Sequence, residues 1–184
     1  YLDWGTGRNW ETAIGVELFS NGFTTLTNNG TISADGGNYG IAVATDGGLS
    51  SDYIGNYGTI SGAIYTGVGD DTLYNGVGAT WNATGYSDFG AGDDAVLNYG
   101  TIAMTDADIS LGSYATAAGN LFQNSGTISA NGDNTIDVGA GGGLSASAFV
   151  NDGVIDMQDG AANDSLTLYG DFAGTGDINV DVSG

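Results

Sequence analysis

Short runs in which hydrophobic and polar positions alternate recur along this chain from near its start to its end. Ile14-Gly15-Val16-Glu17-Leu18, Ile41-Ala42-Val43, Ile136-Asp137-Val138, Leu166-Thr167-Leu168 and Ile178-Asn179-Val180-Asp181-Val182 all repeat with period two, the period of a half-buried β-strand. Gly, Asn and Asp separate them. No stretch places apolar residues at helical spacing. The nearest is Asn9 to Phe19, and there Ile14, Val16 and Leu18 favour a strand.

These runs sit inside a longer repeat. An Asn-x-Gly-(Thr/Val)-Ile box occurs at Asn28, Gly30 and Ile32, at Asn56, Gly58 and Ile60, and at Asn98, Gly100 and Ile102. It returns at Asn124, Gly126 and Ile128 and at Asn151, Gly153 and Ile155, and a worn copy ends at Ile178. The wide interval between Asn56 and Asn98 predicts a degenerate copy around Asn75-Gly76-Val77-Gly78-Ala79. A second piece, Gly67-Val68-Gly69-Asp70-Asp71-Thr72-Leu73, recurs as Gly90-Ala91-Gly92-Asp93-Asp94-Ala95-Val96, and Gly160 to Leu166 reads as a third version.

A fixed order of strand pieces predicts an all-β, right-handed parallel β-helix (a β-solenoid) with coils of about 23–28 residues and three short strands in each. A unit this small buries its apolar face only against its neighbours, so Ile32, Ile60, Ile102, Ile128, Ile155 and Ile178 are expected to form one column. The box Asn residues are expected to form another, each amide bonding the next coil. Eight coils at most are expected, a rod of roughly 35–40 Å at about 4.8 Å per coil. An antiparallel up-and-down barrel is the alternative, and Asn-Gly at 21–22, 29–30, 75–76 and 131–132 are genuine hairpin signals. Their recurrence within the repeat favours solenoid corners. Residues 1–184 read as one solenoid segment, with 1–20 as an N-terminal cap carrying Trp4, Trp10 and Phe19, and with an open C-terminal coil. The start at Tyr1, without Met or an export signal, reads as a segment of something longer.

Composition narrows the function classes. Gly makes up 35 of 184 residues and Pro none, which suits many tight turns and excludes collagen. The chain carries 22 Asp and Glu against one base, Arg8, for a formal charge of −21. Nucleic acid and anionic membrane surfaces are therefore not expected as partners. That self-repulsion suits an elongated shape, a salty medium or bound Ca²⁺. Cys is absent, which leans toward an exported protein, and no apolar run approaches the length of a membrane span.

At the boxes, the Gly-Asp-Asp-Thr-Leu-like pieces and the ending Asn163-Asp164-Ser165-Leu166-Thr167-Leu168-Tyr169-Gly170-Asp171-Phe172, the chain resembles the passenger domains of autotransporters and related β-helical adhesins of Gram-negative bacteria. The resemblance implies a right-handed β-helix displayed outside the outer membrane, with the C-terminal membrane barrel of a complete autotransporter lying outside this chain. It implies an adhesin or structural rod, with a glycan or a host or neighbouring-cell surface as partner. A self-assembling subunit of an extracellular filament, sheath or surface layer, stacking coil on coil, is the alternative. A Ca²⁺-dependent secreted module is the third.

Candidate chemistry is sparse. Asp70, Asp71, Asp93 and Asp94 resemble the turn carboxylates of Ca²⁺-binding repeats, and a 23-residue offset stacks them one coil apart. Read more plainly, they are turn residues accepting backbone N–H bonds. Tyr57 and Tyr99 share an outward box position, with Trp81, Tyr74, Tyr86 and Phe89 nearby, and such a strip can stack on sugar rings or simply protect corners. No catalytic residue is assigned: His, Lys and Cys are all missing, so the usual bases and covalent nucleophiles are not available and an enzyme is not expected. The sequons at Asn29, Asn82 and Asn163 are read as chance.

Overall fold

The computed structural model describes residues 13–34, 40–46, 50–112, 119–139, 148–160 and 162–182. Every element among them is a β-strand and every strand pairing is parallel. The alternation seen in the sequence becomes three faces of a parallel β-solenoid of about six turns.

The first face is a seven-stranded sheet: β2 (Thr24–Asn28), β5 (Asp52–Asn56), β8 (Thr72–Asn75), β10 (Ala95–Asn98), β12 (Leu121–Asn124), β15 (Ala148–Asn151) and β18 (Asp171–Ala173). A twelve-stranded sheet bends to supply the other two. Its first leg is β3 (Thr31–Ser33), β6 (Thr59–Ser61), the start of β9 (Thr80–Asp88) and of β11 (Thr101–Ser110), then β13 (Thr127–Asn131), β16 (Val154–Met157) and β19 (Asp177–Val180). Its second leg is β1 (Ile14–Phe19), β4 (Ile41–Asp46), β7 (Ala63–Tyr65), the ends of β9 and β11, β14 (Asp133–Asp137) and β17 (Ser165–Tyr169). Seven strands on a face at about 4.8 Å per step give a stack of about 29 Å, shorter than eight coils would make.

The expected columns form in register. Ile32 pairs with Ile60, Ile102 with Ile128, Ile128 with Ile155 and Ile155 with Ile178. Between Ile60 and Ile102 stands Trp81, fully buried, with its Nε1–H donating to the Gly62 carbonyl at 3.0 Å. The degenerate copy is therefore real. It carries two extra residues, so Thr80-Trp81 fills the Thr-Ile place. Each fully buried side chain of this column contributes about 1.5–3 kcal/mol from apolar burial. On the first face Phe122, Phe149 and Phe172 stack at 5.0 and 5.7 Å.

One coil is shorter than the expected 23–28 residues: Asn56 to Asn75 spans 19. There β6 and β7 are three residues each, joined only by Gly62 at φ +125°. All four Asn-Gly pairs lie at turns between strands rather than in hairpins. Box glycines answer to space: a Cβ on Gly58, Gly126 or Gly153 would land on the carbonyl oxygen of the glycine one coil before, Gly30, Gly100 and Gly126 respectively. Stacked backbones approach too closely there for any side chain. Within the expected cap, Trp4 and Trp10 lie outside the described residues, while Phe19 ends β1 and is 60% exposed.

Candidate functional site

Three side-chain systems run along the rod, and each is fixed by its place in a strand. The first is the asparagine ladder. Nδ2 of Asn28, Asn56, Asn75, Asn98 and Asn124 each donates to Oδ1 of the next box Asn at 2.7–2.8 Å, ending at Asn151. The second N–H of each amide goes to a backbone carbonyl of the following coil, among them Thr59, Thr80, Thr101, Thr127 and Val154. At Asn28 and Asn56, Oδ1 also accepts the N–H of Gly30 and of Gly58. Asn56, Asn75, Asn98 and Asn124 are completely buried, and their polar atoms are satisfied.

The second system stands four residues earlier in each coil. Asp52, Asp71, Asp94 and Asn120 form a column in which the backbone N–H of each rung donates to Oδ1 of the next at 2.7–2.9 Å; Asp52 Oδ1 likewise takes the N–H of Thr24. Asp71 and Asp94 are buried, and Oδ2 of both lacks a partner. Burial pushes Asp71 up to about 6 and Asp94 up to about 8, from an ordinary 3.8. The nearby Thr66 hydroxyl at Asp71, and a backbone N–H at each of the two, pull them down in part, and neighbouring carboxylates add to the rise: Asp52 and Asp70 at Asp71, and Asp71, Asp70 and Asp88 at Asp94. At the next rung Asn120 is neutral, and its Nδ2 donates to the Leu111 carbonyl.

The four acidic residues singled out in the sequence therefore divide. Asp71 and Asp94 point inward as rungs, while Asp70 and Asp93 stay at the corner, joined by the Asp93 N–H donating to Asp70 Oδ1 at 2.9 Å. Each of these bonds joins a backbone N–H to a carboxylate oxygen. Among the described residues no group of three or more acidic side chains converges as a metal ion requires. The third version of this piece stands elsewhere. Leu166 pairs with Asn134 on the second leg of the larger sheet, not with Leu73 or Val96, and Asp164 accepts the Gly132 N–H at 2.7 Å.

The third system is aromatic. Tyr57 and Tyr99 do point outward, 51% and 37% exposed. Trp81 and Phe89, expected beside them, are instead fully buried in the core: Trp81 takes the inward phase of β9, and Phe89 continues that alternation one residue past its end. The position between the two tyrosines belongs to Gly76, and Tyr74 fills the gap: its ring lies 5.7 Å from Tyr57 and 5.4 Å from Tyr99. Tyr53 joins them beside Tyr57, its hydroxyl pushed up by burial and by the Tyr57 hydroxyl. A Cβ on Gly55 would meet the Tyr53 and Tyr57 rings at 3.1 and 3.3 Å, and one on Gly76 would meet Tyr57 and Tyr74 at 3.0 and 3.1 Å. The rings thus lie over bare glycine backbone. Tyr86 belongs to a different face, edge-on to Tyr65 at 6.3 Å.

Two of these features had a sequence signal that went unread. A polar residue stands four places before the box at Asp52, Asp71, Asp94 and Asn120, and Tyr53 and Tyr74 share strand phase with outward neighbours. No family model, no curated protein and no solved structure matches this chain.

Proposed function

We propose that this chain is a segment of an extracellular, surface-displayed rod that works by contact, as an adhesin-type β-helical passenger. The observation that carries the reading is the unbroken asparagine ladder, five amide-to-amide bonds of 2.7–2.8 Å along one buried corner of the stack. Such a ladder holds successive coils in one register and makes a stiff spacer with lateral faces open for contact. Turnover is not part of the reading. The chain holds no His or Cys, and its two most perturbed carboxylates are committed to backbone N–H groups. Beads coated with the purified chain should adhere to bacterial or host-cell monolayers and be displaced by soluble chain; absence of adhesion to any such surface would overturn the proposal.

A second reading, the subunit of an extracellular filament, draws on the last coil. Phe172, Ile178 and Val180 are 51%, 51% and 47% exposed there, and β17, β18 and β19 each pair on one side only among the described residues, an edge that another strand can extend. Electron microscopy at physiological salt separates the two: end-to-end filaments support the second, single short rods the first.

A further inference from the structure

The outer face of the seven-stranded sheet differs from the rest of the molecule in charge. In a chain of formal charge −21, the strands β2, β5, β8, β10, β12 and β15 contain one ionisable carboxylate, Asp52, and it points inward. The first outward carboxylate of this sheet is Asp171, in β18. Leu97 and Leu121 are half-buried in the middle of the face. Tyr57 and Tyr99 stand where the chain leaves the sheet, Tyr74 lies one residue inside that edge, and the Tyr53 ring reaches across Gly55 toward Tyr57.

We propose that this face, with Tyr53, Tyr57, Tyr74 and Tyr99 toward its edge, binds an uncharged polysaccharide chain laid along the rod axis. The inference deepens the contact-rod reading and rests on it. Charge selects the ligand class. An anionic polymer meets the repulsion of the whole chain, and a cationic one is drawn to the aspartate-bearing corners and the other faces; a face without charge matches a ligand without charge. Ring geometry selects the chemistry. Rings seated over Gly55 and Gly76 pack one side against bare backbone, and their hydroxyls supply donors and acceptors beside an apolar surface, the combination that a sugar ring with one C–H face uses. Spacing selects the direction. Tyr57, Tyr74 and Tyr99 advance one coil at a time, about 4.8 Å, close to the length of one pyranose unit, so successive sugars meet successive rings.

The probe is affinity electrophoresis of the whole chain through gels containing a neutral β-glucan, mannan or galactan, with polygalacturonate as the anionic comparison. At least one neutral polymer should retard the chain and polygalacturonate should not. Tyr57→Ser, Tyr74→Ser and Tyr99→Ser should each weaken retardation roughly three- to tenfold, and Tyr86→Ser, on another face, should leave it unchanged. Far-UV circular dichroism and melting check folding, and the variants at the exposed Tyr57 and Tyr99 serve if Tyr74→Ser does not fold. The proposal falls if no neutral polymer retards the chain, if polygalacturonate retards it equally, or if the tyrosine variants behave as wild type. It falls also if those variants alter sedimentation mass instead, since the face is then a contact between copies. Persistent bead adhesion by the tyrosine variants would sink the strip while leaving the contact rod standing. Polymer binding without cell adhesion would do the reverse.

Discussion

Two columns of buried polar side chains climb the same sheet four residues apart, and they solve the same problem in different ways. In the asparagine column each side chain is both donor and acceptor: Nδ2 bonds the next Oδ1 and a backbone carbonyl. In the aspartate column the donor is the backbone N–H, and the side chain only accepts. A carboxylate can hold the second kind of place and not the first. The cost appears in the leftover atom, for the Asn amides are fully used while Asp71 Oδ2 and Asp94 Oδ2 are buried without partners. Asn120 displays the remedy inside the same column, because an amide there reaches the Leu111 carbonyl.

Asn98→Asp is the harshest test of that difference. It removes two donated bonds from a buried rung and sets a charge against Asn124 Oδ1, and we expect a loss of about 3–5 kcal/mol, read as a lower urea midpoint. Asp94→Asn goes the other way. Near pH 9 it should raise stability by about 1–3 kcal/mol, and an unchanged midpoint would show that the carboxylate is solvated or neutralised.

The pH dependence sharpens the same contrast. Both folded-state values, about 6 for Asp71 and about 8 for Asp94, lie above the ordinary 3.8. The folded chain therefore binds these protons more tightly than the unfolded one. The stability they contribute is complete below about pH 4 and is lost as pH rises through 6 and then 8. Melting temperature should fall between pH 5 and pH 9, and the Asp71→Asn/Asp94→Asn chain should flatten that fall. The smallest expected effect is at the corner. Calcium chloride and sodium chloride at equal ionic strength should raise the melting temperature nearly alike; a further rise with Ca²⁺ that Asp70→Asn/Asp93→Asn abolishes would assign those residues to a metal.

The asparagine column was legible in the sequence because its residues are identical and regularly framed by Gly and Ile, even through the insertion at Val77 and Gly78. The aspartate column was not, since an acid ahead of a strand also reads as an ordinary turn residue and Asn120 breaks the identity. Trp81 and Phe89 were misplaced for a related reason. The two inserted residues hide that Trp81 follows Thr80 as Ile102 follows Thr101, and a large aromatic without its register gives no sign of which way it faces. Three faces and parallel stacking could be inferred from repeat length; the 19-residue coil could not, because shortening falls in strands whose sequence remains ordinary. The tyrosine strip was half legible: the outward box position gave Tyr57 and Tyr99, but Tyr74 enters from the neighbouring strand and only stacking brings it between them.

The corner hydrogen bonds also govern how this chain ages. An asparagine followed by glycine is chemically fragile, because the glycine nitrogen attacks the side-chain amide, expels ammonia and leaves a succinimide that water opens to aspartate or isoaspartate. In all four Asn-Gly pairs that N–H is already donated: Gly22 to Ser20 Oγ, Gly30 to Asn28 Oδ1, Gly76 to the Asn56 carbonyl and Gly132 to Asp164 Oδ1. Ring closure needs the nitrogen free and the corner unwound, so within the folded stack the reaction waits on local opening. The same turns that set the coil register thereby guard the covalent integrity of the chain, and the weakest guard is the exposed serine hydroxyl beside Asn21.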